Sequence, residues 1–191
     1  LTLEKEQDCN LGMNVNDFTS IDGFECTDEQ KQILTLANEH MIAMLRGYGG
    51  SGKSTVMKAL VLMLEANHKD YTQLAPTGKA AKRLRETTGR PASTIHMVLA
   101  QDGHIDSDFV IIDDCSMVGV HLLSKLFDIC ESNTRFIFVC DEAQLASISC
   151  GNVVQDIIDS GVVPTANLTK IFRYGSSGLA TVATDTRQGK V

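Results

Sequence analysis

The sequence from residue 46 to residue 55 reads Arg46-Gly47-Tyr48-Gly49-Gly50-Ser51-Gly52-Lys53-Ser54-Thr55. It fits the pattern G-x-x-x-x-G-K-[ST], in which glycines let main-chain N–H groups close around phosphate oxygens. A short apolar run precedes this stretch (41–45), and apolar residues recur at helical spacing after it (55–65). The sequence therefore predicts a strand, a phosphate-binding loop and a helix whose positive N-terminal end faces the same anion.

The side chains of this loop have separate predicted roles. Lys53 would bring an ammonium to the β- and γ-phosphates of a nucleoside triphosphate, and the Ser54 hydroxyl would bind Mg²⁺. A glycine-rich turn that matches by chance is the alternative, and the flanking strand and helix weigh against it. The residues predicted to bind the nucleotide are Gly47, Gly49, Gly50, Ser51, Gly52, Lys53, Ser54 and Thr55.

Length, charge and cysteine content limit the class of protein. A chain of 191 residues suffices for one domain with a substantial core. No apolar run reaches the length of a membrane span, so we expect no membrane partner and a cytoplasmic location. The net charge of −7 argues against a wholly basic nucleic-acid coat. The six cysteines form no C-x-x-C pair, and we expect buried thiols in a reducing cytosol rather than a disulfide framework.

Strand-like and helix-like segments alternate along the chain from residue 27. Thr27 and Gln30 have the spacing of a capping box at a helix start. The predicted strands are 41–45, 71–75, 109–112, 135–141 and 162–168, and the predicted helices are 27–38, 55–65, 79–87, 118–131, 151–160 and 179–188. This alternation predicts an α/β fold with a mainly parallel sheet covered on both faces. Residues 1–24 lack firm periodicity and are predicted to be a tail or peripheral segment, with 25–191 as the domain.

Carboxylates follow two of the predicted strands, where ligands of parallel α/β sheets bind. Asp113 is predicted to bind Mg²⁺ and Asp114 to activate the attacking water, and a pair of acids at a surface turn is the alternative. Asp141 ends the next strand. Gln144 could reach the γ-phosphate or the water, and Arg173 could bring positive charge to the transition state.

A local excess of cations follows the second predicted strand. It consists of Lys79, Lys82, Arg83, Arg85 and Arg90, with Glu86 as the single acid among them. Such a cluster predicts either a phosphate-facing edge or a solvated helix face, and charge alone does not separate the two.

Together these stretches resemble the first motor domain of superfamily 1 DNA helicases of the RecD/Dda type, over roughly residues 25 to 175. The segments that look like motifs I, Ia, Ib, II, III and IV are 47–55, 74–81, 93–96, 112–117, 140–145 and 168–173. The resemblance implies a RecA-like P-loop NTPase three-layer sandwich that binds ATP and Mg²⁺. It implies that Gln30 contacts adenine, that Gln144 links the γ-phosphate to the DNA site, and that Arg173 contacts that phosphate. The residues it assigns to single-stranded DNA are Pro76, Thr77, Gly78, Thr94 and His96.

Two features depart from the family pattern. Motif II usually reads Asp-Glu, whereas this chain has Asp113-Asp114, whose second side chain is one methylene shorter. No stretch resembles the second motor domain with motifs V and VI. We therefore expect that C-terminal helicase domain to be a missing partner, together with other subunits of a repair or recombination complex.

The sequence thus predicts the N-terminal motor domain of an ATP-dependent DNA helicase that translocates on single-stranded DNA, 5′ to 3′ by resemblance. This segment alone is expected to be weakly active or inactive. Two other functions stay open: a helicase-like module that binds single-stranded DNA or a partner without turnover, and another P-loop nucleotide hydrolase or kinase. The dependence of ATP turnover on DNA separates the three.

Overall fold

The alternation of strands and helices is present in the computed structural model, which describes residues 9–21, 23–101, 103–141, 156–157, 160–170 and 172. The strands are β1 (Ser20–Ile21), β2 (Phe24–Glu25), β3 (Ile42–Gly47), β4 (Tyr71–Ala75), β5 (Ser93–Thr94), β6 (Phe109–Ile112), β7 (Arg135–Asp141) and β8 (Thr165–Leu168). The helices are α1 (Asp28–Glu39), α2 (Lys53–Ala66), α3 (Gly78–Thr88), α4 (Ile95–Ala100) and α5 (Val120–Asp128). Short 3₁₀ turns lie at Asn16–Phe18 and Cys115–Met117.

Within the described ranges, six strands form one sheet in the order β5-β4-β6-β7-β3-β8, and all neighbouring strands run parallel. β3 lies between β7 and β8, so that Gly47 pairs with both Asp141 and Leu168. The connection from β3 to β4 passes β7 and β6 and contains α2, as parallel strands require a crossover. The carboxyl ends of β3, β6 and β7 therefore meet at one edge of the sheet.

Side chains of the central strands enter two separate cores because successive residues of a strand point to opposite faces. Leu45 and Val139 pack on one face with residues of α1 and α2. Met44 and Phe138 pack on the other face with residues of α4 and α5. The result is the three-layer α/β sandwich that the alternation predicts. None of the helices in the described part of the chain is long and apolar enough to cross a membrane.

Helix α1 begins at the predicted capping box. The Thr27 hydroxyl accepts a hydrogen bond from Gln30 N at 3.3 Å, and Gln30 Oε1 accepts one from Thr27 N at 3.0 Å. Two N–H groups at the start of the helix thereby gain partners that the helix itself cannot supply.

Arg135 closes the other end of α1 from β7. Its buried guanidinium donates to the carbonyls of Ala37, Asn38 and His40 at 3.1 to 3.3 Å, and to that of Cys9. Burial lowers the pKa of Arg135. The last carbonyls of the helix are thus satisfied by a residue almost a hundred positions away, which no local sequence signal indicates.

The largest differences between the predicted and the observed helices concern α4 and α5. Helix α4 was not predicted, because six residues with only Ile95 buried show no helical period. The helix predicted at 118–131 is shorter, at Val120–Asp128. The predicted helix at 151–160 lies mostly outside the described residues, and the one at 179–188 lies wholly outside them.

The described part of the N-terminal segment lies against the domain. Leu11 N donates to Asn38 O at 3.0 Å, and Met13 is buried in the core beside α1. Strands β1 and β2 form a small antiparallel hairpin. The boundary at residue 24 stays a prediction.

Cys115 and Cys140 form a disulfide, with Cα atoms 5.3 Å apart. The prediction of a thiol is therefore wrong for this pair. The two residues lie just after β6 and near the end of β7, which are neighbours in the sheet, whereas their 25-residue separation gives no signal in the sequence. The free cysteines among the described residues are Cys9, Cys26 and Cys130, and Cys150 lies outside them.

Candidate active site

The loop between β3 and α2 has a backbone that requires glycine. Gly52 has a φ of +89°, and a Cβ there would collide with Gln30 Nε2. A Cβ at Gly47 would lie 2.6 Å from Ser51 Oγ and 2.9 Å from Leu168 Cβ. Gly52 is the N-cap of α2, so the N-terminus of that helix opens onto the loop. This is the geometry that favours an anion.

Lys53 extends back into the loop. Its Nζ donates to Gly47 O at 2.5 Å and to Tyr48 O at 3.0 Å, and it lies 3.3 Å from Asp141 Oδ2. Burial lowers the pKa of Lys53, while the charge of Asp141, followed by those of the acid pair at 113–114, acts in the opposite direction. The structure therefore gathers the predicted lysine and three carboxylates at the ends of β3, β6 and β7.

Two loop hydroxyls lie where a phosphate or a metal ion could use them. Ser51 is buried, and its Oγ has no hydrogen-bond partner among the described residues. Ser54 is exposed in the first turn of α2, where Thr55 follows it. Hydroxyl and carboxylate oxygens suit Mg²⁺, which is usually held by few protein ligands and by substrate phosphates. Ser54 and Asp113 supply oxygens of these two kinds.

Asp113 and Asp114 follow β6 directly, and each is only 8% exposed. Asp114 has φ and ψ of +53° and +40°, the left-handed conformation. Aspartate is enriched there because its short side chain can bond to the local backbone. Burial, followed by the charge of Asp114, raises the pKa of Asp113, and Arg83 opposes that shift.

Arg83 of α3 contacts both members of the acid pair. Its Nη2 lies 3.1 Å from Asp113 Oδ2 and 2.9 Å from Asp114 Oδ1. Two other cations of the predicted basic cluster also face acids: Arg90 bonds Glu65 at 2.5 and 2.8 Å, and Lys82 lies 3.8 Å from Glu86. Much of the cluster is therefore neutralised within the domain.

Gln30 and Phe172 lie beside the loop on the side of α1. Gln30 is 5% exposed, and its amide nitrogen approaches Gly52 closely. Phe172 N donates to Gly50 O at 2.8 Å, and the Phe172 side chain is 55% exposed. Phe172 was not among the residues predicted from the sequence, because a phenylalanine is usually a core residue.

Gln144 and Arg173, the remaining predicted catalytic residues, lie outside the described residues. The structure does describe residues close to each of them in sequence. Asp141, which precedes Gln144, pairs with Lys53. Thr169, which precedes Arg173, donates from its N and Oγ1 to the Glu29 carboxylate of α1 at 2.9 and 2.5 Å.

Thr77 and Thr94, predicted to contact single-stranded DNA, are N-caps at the ends of β4 and β5. The Thr77 hydroxyl accepts from Ala80 N at 3.2 Å, and that of Thr94 accepts from Met97 N at 3.1 Å. A capping hydroxyl keeps its own hydrogen for donation, so capping does not prevent a phosphate contact. The two strands are paired neighbours, and the two threonines share one edge of the sheet.

Pro76, Gly78 and His96 complete the predicted set. Pro76 and Gly78 flank Thr77, and a Cβ at Gly78 would meet no atom within 4 Å. His96 is exposed on α4 and lines a groove of about 650 Å³ against α5, together with His121 and Lys125. This groove does not border the glycine loop.

Comparison with known proteins gives a family and several relatives. Residues 25–191 match the family model described as an AAA domain. The ATP-dependent RecD2 DNA helicase of Deinococcus radiodurans is 33% identical over 159 residues, which are 78% of this chain and 22% of that protein. The RecBCD enzyme subunit RecD of Mycolicibacterium smegmatis is 28% identical over 191 residues, covering 81% of this chain and 34% of that protein. The resemblance to RecD-type helicases is confirmed, and the chain spans 22% to 34% of the length of these curated relatives.

Solved structures confirm the predicted fold. Two coordinating Pif1 helicases at forked double-stranded DNA match with a TM-score of 0.63 and 20% identity, covering 88% of this chain and 49% of that chain. Bacteroides Pif1 bound to single-stranded DNA matches with a TM-score of 0.60 and 21% identity, covering 86% and 46%. At these identities the likeness concerns the fold, and the RecA-like sandwich is the one predicted.

Proposed function

Since this chain belongs to the AAA domain family, we propose that it is the ATP-binding and ATP-hydrolysing N-terminal motor domain of a DNA helicase that translocates on single-stranded DNA. One observation carries this proposal. Lys53 pairs with Asp141, and the charges of Asp113 and Asp114 act on it, at the ends of three adjacent parallel strands next to a glycine loop with left-handed backbone. The relative named as an ATP-dependent RecD2 DNA helicase agrees with it.

In this proposal the loop binds the ATP phosphates through its main-chain N–H groups and the Lys53 ammonium. Lys53 has two carbonyls and Asp141 as partners, so a phosphate oxygen would replace one of these contacts. Gln30 would hydrogen-bond the adenine edge, and the exposed Phe172 ring would pack on its face.

Ser54 and Asp113 would hold Mg²⁺, which when bound offsets the charge of the phosphates and orients them. Asp114 would accept a proton from the attacking water. Its carboxylate is fixed by a left-handed backbone and by Arg83, so its orientation is set before the reaction. Gln144 and Arg173 would contact the γ-phosphate, as the family resemblance implies.

Single-stranded DNA would pass over the ends of β4 and β5. Thr77 and Thr94 share that edge, and each hydroxyl keeps a hydrogen for a phosphate oxygen. Pro76, Gly78 and His96 would add contacts. ATP would bind between this domain and a second motor domain, and closure on ATP would step the protein along the strand, 5′ to 3′.

Because one relative is named as a RecBCD subunit, we further propose that other subunits are partners of this protein. We also propose a cytoplasmic location.

A binding module without turnover is the less favoured alternative. The shorter acid at position 114 was the feature that favoured this alternative. However, the left-handed backbone at that position gives a physical reason for an aspartate there. A different P-loop enzyme would leave Thr94 with its capping role alone and His96 without a role.

Strand separation on forked DNA tests the proposal. The full-length gene product is given Mg–ATP and a labelled fork with either a 5′ or a 3′ single-stranded tail, beside Lys53→Ala. We expect unwinding of the 5′-tailed fork only, and none by the variant. Unwinding of the 3′-tailed fork alone would contradict the polarity, and no unwinding of either fork would contradict the helicase.

A further inference from the structure

Helix α3 joins the two halves of the proposed site. Thr77 caps its N-terminus at the edge where the DNA strand is predicted to lie. Arg83, six residues later, faces the acid pair, and its Nη2 lies 3.1 Å from Asp113 Oδ2 and 2.9 Å from Asp114 Oδ1. A single nitrogen therefore bridges both carboxylates.

This bridge sets the environment of the acid pair. The carboxylate side chains are 11% and 10% exposed, so each lies in a poorly solvated position beside a like charge. Charge-assisted hydrogen bonds from a guanidinium are short and directional, and they fix the carboxylates that they contact. Arg83 thus restrains one oxygen of each carboxylate.

We propose that Arg83 is a positioning residue that couples strand binding to the acid pair. The inference rests on the proposed function. A DNA phosphate bound at the N-terminus of α3 would displace this helix relative to β6, and Arg83 would transmit the displacement to Asp113 and Asp114. Coupling of this kind is reciprocal, so nucleotide bound at the acid pair would change the affinity for DNA by the same factor.

Lys82 provides a matched control on the same helix. It is adjacent to Arg83 and has the same charge, but its side chain is 71% exposed and its carboxylate neighbour is Glu86 at 3.8 Å. Replacement of Lys82 removes one cation from α3 without touching the acid pair. The Arg83 side chain is 55% exposed, so its replacement should leave the fold intact, which thermal unfolding checks.

The first measurement is the affinity of the full-length protein for a fluorescent oligo-dT strand, with and without Mg–ADP. We expect the wild-type dissociation constants to differ by the 5- to 150-fold that is typical of coupled sites. In Arg83→Ala the ratio should fall to near one, in Lys82→Ala it should stay at the wild-type value, and Arg83→Lys should lie between. The second measurement is the stimulation of ATP turnover by oligo-dT, which should fall about tenfold in Arg83→Ala only.

An Arg83→Ala variant that keeps either the wild-type affinity ratio or the wild-type stimulation would overturn the inference. An equal loss in Lys82→Ala would also overturn it, because the effect would then belong to the charge of α3 in general. A wild-type protein whose turnover ignores DNA would contradict the proposed function, and this inference with it. If oligo-dT stimulates ATP turnover equally in the wild type and in Arg83→Ala, the inference is contradicted but the proposed function is not.

Discussion

Asp114 combines an unusual backbone with a proposed chemical role. Its left-handed conformation suits aspartate, and its carboxylate lies 2.9 Å from Arg83 Nη2. The sequence predicted this acid and its neighbour from the end of an apolar strand. It could not predict the pairing with Arg83, because that contact joins two segments thirty residues apart and depends on how α3 packs beside β6.

Replacement of Asp114 by asparagine tests its proposed role as the base. Asparagine tolerates the left-handed backbone and keeps the size of the side chain, but it cannot accept the proton. We expect ATP turnover to fall by about 10² to 10⁴, with little change in the affinity for Mg–ADP or in the melting temperature. Turnover close to the wild-type rate would show that another group activates the water.

Gly52 allows a second test at the residue scale. In Gly52→Ala the φ of +89° would cost about 1 to 2 kcal/mol, and the new Cβ would collide with Gln30 Nε2. We expect a lower melting temperature and at least a roughly tenfold loss of nucleotide affinity. Gly89→Ala is the control, because Gly89 has a φ of +68° but no atom within 4 Å of a Cβ. If the two variants bind nucleotide with equal affinity, the close approach of Gln30 to the loop is not required for nucleotide binding.

Elements with long apolar runs were predicted best. The bounds of β6 and β7, 109–112 and 135–141, are those of the sequence prediction, because buried parallel strands have continuous apolar sequences. Helix α4 was missed because six residues show no period. The disulfide between Cys115 and Cys140 was missed because only the adjacency of β6 and β7 brings the two residues together. Local sequence patterns therefore predict single elements but not the contacts between elements.

Glu65 joins three elements and predicts a pH dependence. It accepts from Tyr71 Oη at 2.6 Å and from Arg90 of the α3 C-terminal end at 2.5 and 2.8 Å. The Arg90 hydrogen bonds, followed by that of Tyr71, lower the pKa of Glu65 to about 2. Because the folded pKa lies below the unfolded value of about 4.3, the stabilisation is present above the unfolded pKa and is lost as pH falls toward 2.

The measurement compares the melting temperatures of the wild type and Glu65→Gln across this range. We expect the wild type to be more stable at about pH 6, and the difference to shrink steadily as the pH falls below about 4.3. Glu86→Gln is the control, since the Glu86 side chain is 67% exposed and its pair with Lys82 contributes little. A difference between wild type and Glu65→Gln that does not change with pH would contradict the ionic character of this contact.

At the scale of the whole domain, sheet order brings the site together. The crossover from β3 to β4 leaves β7 and β6 between these two strands, and Lys53 and Asp141, which are far apart in sequence, become neighbours at one edge. Alternating strands and helices predicted the parallel sheet, and the motif order predicted which strand ends carry the candidate residues. Strand order itself follows from packing, and the sequence could suggest it only through family resemblance.

Steady-state ATP turnover by the full-length gene product, with and without single-stranded DNA, tests the central claim most directly. Lys53→Ala is measured beside it, since Lys53 Nζ lies in the loop at 3.3 Å from Asp141. We expect Mg–ATP turnover that single-stranded DNA strongly stimulates and that the variant lacks. Turnover that is indifferent to DNA, or DNA binding without any turnover, would contradict it.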